Sequence, residues 1–128
     1  MGIDVYARWR GQTEAEKQAQ FTGFSIVSGN VGYLREAYHG EPYATKVLVP
    51  EGWQDCPCKY EDDDCDHSVQ IPAATLRERL PATLAACRER YAGDDIVDEA
   101  CKSYEDFVKL CEQKEAETGE PVRIRVSA

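Results

Sequence analysis

The two ends of the chain share one alternation of apolar and polar residues, and this feature most constrains the fold. The segment from Ile3 to Trp9 places an apolar residue at every second position, and the segment from Val122 to Val126 does the same. A period of two is that of a half-buried β-strand, which needs a hydrogen-bonding partner and an apolar layer against one face. Both ends of the chain are therefore predicted to be strands of one sheet.

The C-terminal half supplies the helices that such a sheet needs. A continuous apolar face at helical spacing predicts a long helix from Ile96 to Glu117. Pro81 is expected to interrupt the preceding helical stretch, because proline removes a hydrogen bond and clashes with the turn before it. Two helices are therefore predicted there, Ala73 to Arg79 and Pro81 to Tyr91. The sum is an α+β fold of two layers, with a small sheet that includes both terminal strands and C-terminal helices packed on one face.

The first half of the chain is less regular. Thr13 is expected to cap a short helix over Glu14 to Gln20, with Glu16 completing a capping box. Apolar residues from Tyr33 to Tyr38 recur at helical spacing and predict a helix. The segment from Tyr43 to Val49 fits either a short helix or an extended strand.

Length and charge limit the classes of protein to consider. The chain has 128 residues, which predicts a single domain over 1–128. Its formal charge of -9 argues against a nucleic-acid partner bound by phosphate neutralisation, so an unknown protein partner is expected instead. No apolar stretch approaches the ~20 residues of a membrane span and no secretory signal is visible, so we expect no membrane partner and a cytoplasmic location.

Three of the six cysteines fall on the apolar faces of the predicted C-terminal helices, namely Cys87, Cys101 and Cys111. A cysteine in such a position behaves as a small hydrophobic residue. We therefore expect these three to be buried thiols that fill the core.

The other three cysteines lie in a polar, acid-rich loop at about 54–70, within the stretch "DCPCKYEDDDCDH". Thiolates and an imidazole are the ligands of structural zinc sites, and binding would order an otherwise costly loop. The spacing C-x-C and C-x-H is tighter than that of common zinc sites, so two alternatives stay open. The loop could hold free thiols, or Cys58 and Cys65 could form a disulfide. The zinc hypothesis assigns four ligands: Cys56, Cys58, Cys65 and His67.

A second candidate site is the stretch "YLREAYHGEPY", which concentrates charged and phenolic groups. Histidine titrates near neutrality and could do acid–base work there, or it could serve only as a cation near a helix end. No nucleophile or phosphate-binding glycine loop accompanies the group. The ligand-binding hypothesis assigns Arg35, Tyr38, His39 and Tyr43, and no catalytic residue is identified.

A third candidate is a strip of arginines on the outer side of the predicted sheet. Arginines alternate with the apolar residues of both terminal strands, so neighbouring strands would place them side by side with Tyr6. Guanidinium groups in that arrangement could receive a phosphate, a carboxylate or an acidic partner. The alternative is a solvated face paired locally with Asp4 or nearby glutamates. The residues concerned are Arg8, Arg10, Arg123 and Arg125.

Four longer motifs resemble those of a group of small bacterial and phage-associated proteins of unassigned function: "MGIDVYARWRGQTEAEKQAQF", "GYLREAYHGEPYAT", "IPAATLRERLPATL" and "FVKLCEQKEAETGEP". The resemblance covers most of the chain and begins with the MGIDVYA start. It implies a small intracellular protein of viral or mobile-element origin. It implies no catalytic residues.

The sequence therefore favours a small intracellular binding or accessory protein, to which the zinc hypothesis would add a structural zinc in the 56–67 loop as a cofactor. The first alternative is a small enzyme or ligand-binding protein that uses the cluster around Arg35 and Tyr43. The second alternative is an acidic mimic that binds a basic partner through its negative surface.

Overall fold

A computed structural model describes residues 2–21, 29–38, 40–53 and 68–127. Within these ranges the strands are β1 (Gly2–Arg8), β2 (Tyr33–Ala37), β3 (Val69–Gln70) and β4 (Arg123–Ser127). They form one antiparallel sheet in the order β2-β1-β4-β3. The strands from the two chain ends are direct neighbours, with Val5 opposite Val126. The prediction that both ends belong to one sheet is confirmed.

The helices of the described ranges are α1 (Glu14–Ala19), α2 (Ala44–Leu48), α3 (Ala73–Arg90) and α4 (Val97–Thr118), with short 3-10 helices at Gly29–Val31 and Pro50–Trp53. α3 and α4 pack against each other and cover one face of the sheet. We call this the inner face and the opposite one the outer face. The predicted two-layer α+β fold is confirmed.

The core lies between the inner face and the helices. Phe107 of α4 is fully buried there against apolar side chains of the central strands, among them Ile3, Val5 and Ile124. The cysteines predicted to fill the core do so, since all three are free thiols with almost no exposed surface: Cys87, Cys101 and Cys111. Burial raises the pKa of Cys87 to about 12, and neighbouring Cys101 adds to the rise.

Two helices follow the sequence signals closely. The Thr13 hydroxyl accepts a hydrogen bond from the amide of Glu16, and the Glu16 carboxylate accepts one from the amide of Thr13, so the capping box predicted for α1 is present. α4 begins and ends within one residue of the predicted bounds and stops at Gly119, whose φ of 79° only glycine adopts easily. The segment from Tyr43 to Val49, for which the sequence allows a helix or a strand, contains the short helix α2.

The predicted break at Pro81 is wrong, because α3 is one continuous helix with Pro81 inside it. Proline removes one backbone hydrogen bond at this point. The helix nevertheless continues because residues on both sides of the proline share one buried face: Ala73, Leu76, Leu80, Thr83 and Cys87. Packing of this face against the sheet and α4 outweighs the local cost.

The helix predicted from Tyr33 to Tyr38 is also wrong, because this segment forms β2 at the edge of the sheet. Leu34 and Glu36 point to the inner face, while Tyr33 and Arg35 point to the outer face. Pairing with β1 satisfies the backbone, with Leu34 opposite Val5. A short apolar run cannot distinguish the two structures by spacing alone.

The described ranges contain no helix that is long and apolar enough to cross a bilayer. Most of the polar loop predicted at about 54–70 lies outside these ranges, and its last residues, Val69–Gln70, form β3.

Candidate functional site

The outer face of the sheet carries a row of arginines across its two central strands. Arg8 of β1 lies directly opposite Arg123 of β4, and Arg125 lies opposite Tyr6. Arg123 and Arg125 are exposed, and Arg8 is half-buried. We call Arg8, Arg123 and Arg125 the arginine strip. The adjacency that the sequence hypothesis required is present.

Arg10 does not belong to the strip, although the sequence hypothesis included it. β1 ends at Arg8, and the Arg10 guanidinium instead donates a hydrogen bond of 2.7 Å to the carbonyl oxygen of Thr118. That carbonyl is among the last of α4, where helix carbonyls lack internal partners and a cation is favourable. Arg10 therefore ties the end of β1 to the end of α4.

A buried glutamine holds Arg8 in place. Gln20, which is 1% exposed, accepts a hydrogen bond of 2.6 Å from the Arg8 guanidinium through its Oε1. Its Nε2 donates to the carbonyl oxygens of Ala7 at 3.0 Å and Val31 at 2.9 Å. The amide is therefore fixed on both sides and limits the guanidinium to a narrow range of positions. No sequence pattern pointed to Gln20, because a lone glutamine after a short helix carries no functional signal.

Aromatic rings lie beside the strip. The Tyr6 ring is 5.2 Å from Phe21 and 5.4 Å from Tyr33, measured between ring centroids. The Arg8 guanidinium lies 5.4 Å from the centroid of Tyr6 and 6.0 Å from that of Phe21, within the range of a cation–π contact. Phe21 remains 56% exposed. The strip thus has an apolar border at one end.

Asp4, an acidic residue on the outer face of β1, is engaged with a different arginine. Asp4 Oδ1 accepts hydrogen bonds from the Tyr33 hydroxyl at 2.6 Å and from Arg35 Nη1 at 3.0 Å. Burial, together with this bond to Asp4, raises the pKa of Tyr33 to about 12, so the phenol stays protonated at neutral pH. Asp4 is therefore committed to the β2 side of the face, away from β4.

The charges of the strip act on Tyr6 as well. Burial and the charge of Asp4 raise the pKa of the Tyr6 phenol, while Arg8 and Arg125 oppose that rise. The pKa of Tyr6 is raised overall, so burial and the charge of Asp4 outweigh the stabilisation of the phenolate by these arginines.

The described members of the cluster predicted around His39 lie apart. Arg35 points to the outer face, whereas Tyr43 precedes α2, which is held to the inner side of β2. The Tyr43 ring stacks on Trp53 at 5.3 Å, and Tyr38 is 48% exposed. His39 itself lies outside the described residues. The ligand-binding hypothesis for this cluster stays a prediction.

A buried carboxylate lies on the inner side of β2. Glu36 is 1% exposed and accepts hydrogen bonds from the amides of Ala44 and Thr45, each at 3.0 Å, and from the Thr45 hydroxyl at 2.7 Å. It joins β2 to the start of α2. Its contacts are those of a structural cap.

Two clefts in the described part of the chain show where a small ligand would find room. One, of about 380 Å³, lies between α1 and α4 and includes Trp9 and Lys114 in its walls. The other, of about 280 Å³, lies beside α3 near Pro42. None of Arg35, Tyr38 and Tyr43 lines either cleft.

The proposed zinc ligands all lie outside the described residues: Cys56, Cys58, Cys65 and His67. Among the residues that the structure does describe, no group of cysteine, histidine and carboxylate side chains could hold a metal ion. The zinc hypothesis therefore stays a prediction for the loop.

No protein-family model, no curated protein and no solved structure matches this chain. The resemblance to small bacterial and phage-associated proteins stays a prediction.

Proposed function

We propose that this protein is a binding module that recognises an anionic segment of a partner protein on the outer face of its sheet. The arginine strip is the observation that carries the proposal. Its guanidinium groups come from two neighbouring strands, so the sheet backbone fixes their relative positions. Arginine suits this role because its planar fork can form two parallel hydrogen bonds to a carboxylate.

Charge distribution supports an anionic partner. Among the described residues of its strands β1, β2 and β4, the outer face presents four arginines and one aspartate: Arg8, Arg35, Arg123 and Arg125, with Asp4. The whole chain has a formal charge of -9, so this face is a positive area on a negative molecule. Such an arrangement orients a partner as it approaches and disfavours contact elsewhere on the surface.

Pre-organisation supports the same proposal. A flexible arginine loses rotamer freedom when it binds, which reduces affinity. Gln20 already restricts Arg8 through the 2.6 Å hydrogen bond, and the backbone carbonyls of Ala7 and Val31 hold Gln20. Part of the ordering cost is therefore met within the folded protein before a partner arrives.

We also propose that the protein acts in the cytoplasm. The three buried cysteines are free thiols, as suits a reducing compartment. A zinc-bound loop at Cys56–His67 remains part of the proposal as a structural element. Acidic mimicry is less favoured, because the arginine strip interrupts the negative surface on the sheet side.

The proposal is tested with a fluorescently labelled glutamate-rich peptide, whose anisotropy is followed as protein is added. We expect binding that weakens with added salt, and Arg125→Ala should weaken it by about fivefold, the upper value of one exposed arginine–carboxylate contact. Lys102→Ala is the matched control, because Lys102 is also an exposed cation but lies on α4, in the other layer. Equal losses in both variants would show that only net charge matters and would contradict the proposal.

A further inference from the structure

We infer that the occupant of the arginine strip is an extended peptide segment with acidic side chains at every second position, lying along β4. This inference rests on the proposed function and specifies its partner. It follows from the spacing of the arginines rather than from their number.

Arg123 and Arg125 are two positions apart on one strand, and both are exposed on the same face. A strand rises about 3.4 Å per residue, so their Cα atoms are about 7 Å apart. An extended peptide has the same rise, and its side chains likewise alternate between two faces. Acidic residues two positions apart in such a peptide therefore match the two guanidinium groups in both distance and direction.

Arg8 sets where the first carboxylate lies. It is opposite Arg123 in the antiparallel pair, and opposed residues have Cα atoms only about 5 Å apart. A carboxylate over Arg123 is consequently also close to Arg8, whose position Gln20 restricts. The second carboxylate then lies over Arg125, beside the half-buried ring of Tyr6. The strip thus offers one site with two cations and one site with a single cation.

A peptide fits this face better than a single-stranded nucleic acid does. A nucleic acid carries a charge at every nucleotide, so its backbone would extend beyond the strip over a molecule whose formal charge is -9. Stacking of several bases would also need several exposed rings. On this side of the described structure Phe21 is the exposed large aromatic residue, while Tyr33 is buried. A short acidic segment places its few charges only where the arginines are.

The test compares two peptides of identical composition, ETETETT and ETTETTE, whose termini are blocked so that they carry no charge. Each peptide is titrated into isotopically labelled protein, and the amide shifts of the protein are followed by NMR. In an extended chain the first puts all its glutamates on one face, while the second divides them between faces. We expect ETETETT to bind about fivefold more tightly, with the largest amide shifts in β1 and β4. Arg125→Ala should abolish that preference, and Lys102→Ala should retain it.

The outcomes separate the inference from the function on which it rests. Equal affinity of the two peptides would overturn the alternating partner while leaving anion binding intact. Failure of both to bind would overturn the proposed function as well. Tighter binding of a single-stranded oligothymidylate of equal length would overturn the peptide assignment in favour of nucleic acid. Unchanged amide spectra of the variants away from the substitution would show that each is folded.

Discussion

Replacement of Glu36 by alanine tests whether the buried carboxylate holds the start of α2 against β2. Among the described residues, the substitution leaves three donors without this acceptor: the amides of Ala44 and Thr45 and the Thr45 hydroxyl. An unsatisfied buried donor costs about 1–3 kcal/mol. Some of this is recovered if water enters or the threonine rotates, so we expect the free energy of unfolding to fall by about 3–5 kcal/mol, a large part of a typical domain's stability.

The assay is equilibrium unfolding in urea, followed by far-ultraviolet circular dichroism. Thr45→Val should cost about 1 kcal/mol, because it removes one of the three donors while keeping the shape of the side chain. Glu41→Ala is the charge-matched control, because it removes a nearby but exposed carboxylate that pairs with Lys46 at 2.8 Å. Such exposed pairs contribute about 0–1 kcal/mol.

The reasoning would be refuted if Glu36→Ala lowered the free energy of unfolding no more than Glu41→Ala does. That result would mean that water accepts the hydrogen bonds at the start of α2 as well as the Glu36 carboxylate does. An intermediate loss in Glu36→Gln would support the hydrogen-bond account, since the amide keeps one acceptor but presents a donor to one of the three N–H or O–H groups.

Three further predictions concern packing, pH and thiols. Gly29→Ala should lower the melting temperature through a loss of about 1–3 kcal/mol in the free energy of unfolding, because a Cβ at this position would lie 1.8 Å from the Ser103 carbonyl oxygen. An unchanged melting temperature would mean that the 3-10 helix at Gly29–Val31 moves freely away from α4. The hydrogen bond from Arg79 lowers the pKa of Glu51 below its ordinary 4.5, so this pair stabilises the fold above that pH and the benefit is lost as pH falls through the lowered value. Arg79→Gln should therefore make acid unfolding curves shallower below about pH 4.5, and identical curves would contradict the assignment. Alkylation of the native protein should spare the buried thiols. Elemental analysis of protein purified without chelator should find stoichiometric zinc, which a variant with Cys56→Ser and Cys58→Ser should lose. Metal-free protein whose loop thiols are fully alkylated would contradict the zinc site formed by Cys56, Cys58, Cys65 and His67.

The sequence was informative where local pattern and tertiary structure agree. Alternation at the chain ends predicted β1 and β4 because each strand has one buried face, and the capping box of Thr13 and Glu16 predicted α1 because those contacts are local. The pattern failed at β2, where residues on both faces are buried and the inner face includes a charged glutamate. Burial of Glu36 depends on hydrogen bonds from donors eight and nine residues away, which the spacing of apolar and polar residues does not encode.

The candidate site was predictable only in part, for the same reason. Alternation placed Arg8 and Arg125 on one side of their own strands, but only the strand order brings them together. The sequence hypothesis includes Arg10 because the alternation of residues along β1 continues to that position, whereas the strand itself ends two residues earlier at Arg8. Gln20 is part of the site through contacts with Ala7 and Val31, and these arise from the turn after α1 rather than from a motif.

The arrangement of β1 beside β4 has a consequence for how the protein is made. Asp4 lies opposite Ser127, so on the ribosome β1 waits until about 120 further residues have been added before its neighbour β4 is synthesised. At about 5–20 residues per second this delay is on the order of ten seconds. Arg8 and Arg123 come from different strands, so a chain that ends before β4 cannot display them together. The arginine strip therefore forms only after β4 has been synthesised, and a nascent chain that lacks this strand does not present it.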